Sequence, residues 1–296
     1  MNYQEFVSSV TGFLRESLPG GTKLDLIPME KNNGIIMDGL SIRKQGHRVA
    51  PTIYLEAYYR EYLDGCSLRG IYEEILECCE DCELEENFDV SFFSDYEKVR
   101  QGVVYKLVNY EKNRELLQKV PHLPFLDLAI VFYCYLRETP VGNATVLIHN
   151  SHLKLWDCTM GELYRDARAN AGRLLPARLE EMSVMIKELS GGQETLGQAD
   201  VPMYVLTNTV RSLGAVCILY EGVLKSCGDR LGEAYYVLPS SIHEVILIPA
   251  SAVEDTKELQ SIVRDINETQ VRETEVLSDN IYYYSPISGQ LSLVES

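Results

Sequence analysis

Two short apolar runs, Tyr235–Leu238 and Val245–Ile248, enclose the polar loop Pro239-Ser240-Ser241-Ile242-His243-Glu244. No other stretch limits the fold as tightly. Each run is too short for a helix and rich in β-branched and aromatic residues, so the two read as paired strands. The signal recurs upstream. Lys23–Met29 and Gly34–Arg43 flank Lys31-Asn32-Asn33-Gly34, where Asn and Gly tolerate the positive φ of a tight turn. Leu126–Leu136 and Ala144–His149 are strand-like and joined by RETPVGN.

Helical patterns lie between the hairpins. Phe6, Val10, Phe13 and Leu14 share one face of residues 2–17, with Asn2 and Glu5 at capping-box spacing and Pro19-Gly20-Gly21 as the stop. After Pro51 the pattern is helical through Tyr54, Ala57, Tyr58 and Tyr62, ending at Gly65. A further helix starts at Ser67, with Leu68, Ile71, Ile75 and Cys79 along its stripe. Phe88–Phe93 reads as a short strand. Val103–Tyr110 fits a strand or the start of the helix suggested by Glu111–Gln118. Thr159 and Glu162 open a helix, and another spans Ala177–Leu189.

Met203–Thr207 and Ala215–Tyr220 read as strands, followed by a helix over Glu221–Arg230. Asp255 caps a helix with the stripe Leu259, Ile262, Val263 and Ile266. Residues 280–294 read as strand, turn at Pro286–Gly289, and strand. Hairpins dominate and strict βαβ alternation is absent, so the expected class is α+β with antiparallel sheets and packed helices. The two prolines of Val120–Pro124 mark the best boundary, giving lobes 1–120 and 121–296 unless the chain is one continuous domain. Ser190–Ala199, with three glycines in ten residues, is the most linker-like stretch.

Charge excludes whole classes of function. A net charge of −17 repels nucleic-acid backbones and anionic lipid, so neither general nucleic-acid binding nor membrane binding is expected. No run approaches the roughly 18 apolar residues of a spanning helix. The first residues carry Glu5 where a signal peptide needs positive charge. The reading is a cytoplasmic protein whose eight cysteines are reduced. From Ile71 through Glu97 eleven Asp and Glu occur without one Lys or Arg. This is a solvated helix face or a docking surface for a basic protein. The sequence sets no oligomeric state.

Candidate sites are few. Cys78, Cys79 and Cys82 supply two ligands at zinc spacing, but no second pair lies nearby, so core packing is favoured and no metal is expected. Carboxylates around them also disfavour a thiolate. Ser240, Ser241, His243 and Glu244 place a hydroxyl, an imidazole and an acid together. Ser–His catalysis also needs an orienting acid and an oxyanion hole, so a self-capping turn is favoured. His149 and His152 pair only if the turn between them is helical. Tyr282-Tyr283-Tyr284 reads as β packing rather than base stacking. No G-x-S-x-G, G-x-G-x-x-G, Walker loop or H-E-x-x-H occurs, and no cofactor is expected.

The segments NNGIIMDGLSIRK (32–44), NYEKN (109–113), FLDLAIVFY (125–133), RLLPA (173–177), MYVLTN (203–208), ILYEGVLK (218–225), LPSSIHEVILIP (238–249) and LSDNIYYY (277–284) together resemble domain-of-unknown-function family 5688 of Firmicutes. HLKLWDCTMGELYRDARAN (152–170) is more weakly similar to a second bacillary family. The first resemblance implies an accessory product of a mobile element and assigns no catalytic residue. Two functions follow. One is a non-catalytic cytosolic interaction protein. The other is a small-molecule hydrolase or transferase using the 239–244 loop, with His149 or His152 brought near it.

Overall fold

The computed structural model describes residues 1–43, 52–81, 93–139, 142–189 and 201–294. These fall into two units, Met1–Ser91 with Leu136–Ala144, and Phe92–Tyr135 with Thr145–Ser296. The expected strand at 88–93 lies, except for Phe93, outside the described residues, as does the 190–199 linker.

In the first unit, α1 (Tyr3–Ser17) begins with the expected capping box. Asn2 Oδ1 accepts the Glu5 amide and Glu5 Oε2 accepts the Asn2 amide, both at 2.9 Å. Two antiparallel strands follow, β1 (Lys23–Glu30) and β2 (Ile36–Arg43), in register from Lys23↔Arg43 to Glu30↔Ile36. Their turn places Asn33 at φ 63° and Gly34 at φ 69°, the conformation for which these residue types are suited. β3 (Thr52–Tyr54) pairs with β2, so the helical pattern read from Tyr54 begins only at α2 (Leu55–Leu63). Gly65, at φ 104°, separates it from α3 (Leu68–Asp81). Phe6, Val10 and Leu14 of α1 pack with Leu40, Ile53, Ile71 and Ile75 in one core. Fully burying each such side chain contributes about 1.5–3 kcal/mol.

The second unit opens with α4 (Tyr96–Val99) and β4 (Val103–Asn109). The ambiguous stretch is therefore strand over 103–109, paired along that length with a later one. α5 (Arg114–Lys119) forms only after a turn in which Asn109 Oδ1 accepts the Lys112 amide and Asn113 Nδ2 donates to Asn109 O. β5 (His122–Phe125), β6 (Leu128–Thr139) and β7 (Gly142–Leu147) complete a four-stranded sheet centred on β6, of which Leu136–Ala144 is counted with the first unit. The prolines at 121 and 124 end no sheet. β5 is an edge strand, where a missing N–H is tolerated. The boundary expected at 120/121 falls between β4 and β5, both partners of β6.

α6 (Asn150–Trp156) and α7 (Met160–Leu174) lead into the largest sheet. Its remaining elements are β8 (Ala177–Glu181), α8 (Met182–Leu189), β9 (Tyr204–Asn208), α9 (Val223–Leu231), β10 (Tyr235–Leu238), β11 (Val245–Pro249), α10 (Thr256–Thr269), β12 (Tyr282–Ser285) and β13 (Gln290–Leu293). The strand order is β13-β12-β10-β11-β9-β8, and every neighbouring pair is antiparallel. The protein is thus α+β with three antiparallel sheets.

Three readings need correction here. Ala177–Leu189 is not one helix, because its first five residues pair with β9 and only Met182 onward is helical. Ala215–Tyr220 is not a strand but a buried 3-10 stretch at Gly214–Leu219. A continuous apolar run carries no period, so its type is set by what it packs on. In α10 the buried residues are Gln260, Val263 and Asn267, whereas Ile262 and Ile266 are 48% and 37% exposed. The helix is turned because Gln260 bonds Asn280, and Asn267 bonds Ser278 O and Asp279.

Candidate functional site

The 239–244 loop is not a free hairpin loop. It runs antiparallel to residues 275–278, with Ile242 N donating to Glu275 O at 2.8 Å, Leu277 N to Ser240 O at 3.0 Å and Ser278 N to Pro239 O at 2.9 Å. Ser241 is buried, and its Oγ accepts the His243 amide at 3.0 Å. The His243 carbonyl accepts Thr207 Oγ1 at 2.7 Å and the Gly214 amide at 2.9 Å. Its Nδ1 accepts the Leu213 amide at 3.1 Å, which places the ring proton on Nε2. That nitrogen faces Glu275 Oε1 at 3.8 Å, with both side chains 29% exposed. Ser240 and Glu244 are partly exposed. The loop therefore gathers an imidazole and a carboxylate, but the acid is Glu275 rather than Glu244. The Ser241 hydroxyl is engaged by a backbone amide rather than by the ring.

His149 and His152 do come together, because α6 makes the turn between them helical. His152 Nδ1 accepts the His149 amide at 3.0 Å, and the rings lie 5.6 Å apart. Phe93 and Trp156 pack on His152. Burial first, and then the neighbouring His149, lower the His152 pKa. Of the cysteine group, Cys78 is partly buried near the first unit's core. The Cys79 side chain and all of Cys82 lie outside the described residues. Burial pushes the Cys134 and Cys217 thiols up to about 12 and Cys227 to about 11, so at neutral pH they are protonated packing groups. Among the described residues no three His, Cys, Asp or Glu gather around a possible metal position. Of the acidic run, Glu73, Glu74 and Glu77 are exposed on α3, and Glu83, Glu85, Glu86 and Asp89 lie outside the described residues.

Sequence reasoning missed a polar cleft of about 400 Å³ in the second unit, between residues 94–100 and 155–166. Its floor is Asp166, whose side chain is 12% exposed and accepts Tyr96 Oη at 3.0 Å and Arg100 Nε at 3.3 Å. Arg100 also grips Glu97 at 3.0 Å. Burial, then hydrogen bonds to Cys158 and Asp166, raise the Tyr96 pKa. A shallower hollow of about 310 Å³ continues past Asn170, whose Nδ2 donates to Arg100 O and Val103 O. The only sequence signal was the capped segment 159–170. Arg100 and Asp166 stand 66 residues apart and form no local pattern.

Also missed was a fastening at Asp127. Its carboxylate accepts Ser278 Oγ at 2.5 Å, Tyr282 Oη at 2.6 Å and Asn280 Nδ2 at 3.0 Å. Burial, then the Asp127 carboxylate, raise the Tyr282 pKa. Asn109 Nδ2 ties the same stretch through Leu277 O.

These features define an α+β protein with antiparallel sheets and several satisfied polar networks. The chain belongs to the family of unknown function DUF5688, whose model matches residues 3–286. No curated protein and no solved structure matches it. Among the described residues no helix is long and apolar enough to cross a membrane.

Proposed function

We propose that this chain is a non-catalytic, cytoplasmic interaction protein, an accessory product of a mobile element, that docks a basic protein partner on acidic surface. One observation carries the non-catalytic reading. In the 239–244 loop, where Ser, His and an acid meet, Ser241 and His243 Nδ1 each accept a backbone amide, so neither activates the other. The charge of −17 and the exposed Glu73, Glu74 and Glu77 on α3 favour a cationic partner over nucleic acid or anionic lipid.

The test is affinity capture from the source cell at low and high salt, using the wild type and Glu74→Lys/Glu77→Lys. Binding that weakens with salt and is lost in the charge-reversed protein is expected. Binding indifferent to both sinks the basic-partner reading. The second reading, a small-molecule hydrolase or transferase at the 239–244 loop, draws on the 3.8 Å His243–Glu275 approach. It predicts turnover of simple ester or amide substrates that disappears in His243→Ala.

A further inference from the structure

The turn after β9 holds two non-glycine residues in the left-handed region, Arg211 at φ 51° and Leu213 at φ 54°. That conformation is disfavoured for side chains of this kind and persists only when its surroundings hold it. Thr209, Val210 and Ser212 are exposed, so the grip comes from below. Asn208, wholly buried, accepts the amides of Val210 and Ser212 on Oδ1 at 3.1 and 3.3 Å and donates from Nδ2 to Ser212 O at 2.7 Å. His243 supplies the other hold by accepting the Leu213 amide on Nδ1. The asparagine does not titrate. The imidazole accepts only while Nδ1 carries no proton.

His243 has little room to yield. Its N–H and C=O are fixed by Ser241, Thr207 and Gly214. A Cβ on Gly214 would stand 2.6 Å from His243 O and 2.7 Å from Asn208 N, so that side is closed as well. Protonation at Nδ1 sets donor against donor at the Leu213 amide. The new charge faces Glu275, which also takes Arg272 at 3.5 Å. The other charged groups here are Arg211, held by Glu180 of β8 at 3.1 Å, and the adjacent Glu244. Glu275 draws the imidazolium, and the exposed turn is the part able to move.

We propose that His243 is a proton-operated latch on the 209–213 turn: neutral, it holds Leu213 in its left-handed conformation; protonated, it releases the turn and pairs with Glu275. Acidification then alters the surface formed by Val210, Arg211 and Ser212 while the sheet beneath stays folded.

The test is NMR on the full chain, following the His243 ring Cε1–H shift and the exchange protection factor of the Leu213 amide over one pH series. Leu213 protection should fall about tenfold, the worth of one hydrogen bond, with the midpoint of the His243 titration. The amides of Val205 and Leu206 in β9 should keep their protection. His243→Asn, whose side-chain oxygen can stand near the Nδ1 position but does not titrate, should show constant Leu213 protection. Leu213 protection that ignores the His243 titration overturns the latch, as does an unchanged pH dependence in His243→Asn. If that variant does not fold, the wild-type series decides alone.

Discussion

Asp127 and Asp166 are both carboxylates holding a tyrosine hydroxyl, and they sit in opposite surroundings. Asp127 takes donors from a single stretch, and two of them, Ser278 and Tyr282, are 1% and 0% exposed. Its partners are neutral, although Asp127 itself and its third partner Asn280 are only half-buried. Asp166 takes Tyr96 and an arginine whose side chain is 37% exposed, and it opens on a cleft. A carboxylate among buried neutral donors fastens the fold. One that shares a half-exposed cation holds a surface together and remains reachable. Polarity alone therefore does not mark function; the exposure of the partners does.

The comparison can be broken by mutation. Asp127→Ala leaves two buried hydroxyls and an amide without their acceptor and should lower unfolding free energy by about 3 kcal/mol, measured by denaturant titration. An effect below that of Asp166→Ala would reverse the ranking. Asp166→Ala removes a partly screened ion pair and one hydroxyl bond, and about 1 kcal/mol is expected by the same measurement. Per-site thiol labelling of the native protein sharpens the difference between packed and accessible groups. Cys66 is exposed and should react before Cys134, Cys217 and Cys227, which stay protected until unfolding. Early labelling of Cys217 would contradict its burial.

The smallest effect concerns His152. Its folded pKa is lowered by burial and by His149, so across the window between that value and the ordinary imidazole range the unfolded chain binds more protons. Stability should rise with pH through this window and be lost as pH falls through it towards the folded value. His152→Asn, which keeps an acceptor for the His149 amide, should flatten that dependence. A wild-type stability flat over the window would refute it.

What was legible in the sequence was local. The hairpins at 23–43 and 235–249 and the capping boxes at Asn2–Glu5 and Thr159–Glu162 depend on residues a few places apart, and they form as read. The failures are non-local. Residues 177–181 are a strand only because β9, more than twenty residues on, lies beside them. The 214–219 run has no period and turns under β9, where a Gly214 side chain would strike Thr207. α10 buries Gln260 and Asn267 instead of Ile262 because the 278–280 stretch offers polar partners. Asp127 and Ser278 are separated by 151 positions, and no spacing rule reaches that far. In the 239–244 loop the residue types were visible, but their partners, Leu213 and Glu275, were not.

Whether that loop serves the fold is decided most directly by the unfolding free energy of Ser241→Ala, measured beside capture of the partner by the same protein. Because Ser241 Oγ accepts the part-buried His243 amide, the variant should lose about 1 kcal/mol and keep its partner. Unchanged stability together with a lost partner would contradict the structural role and make residues 239–244 the binding site.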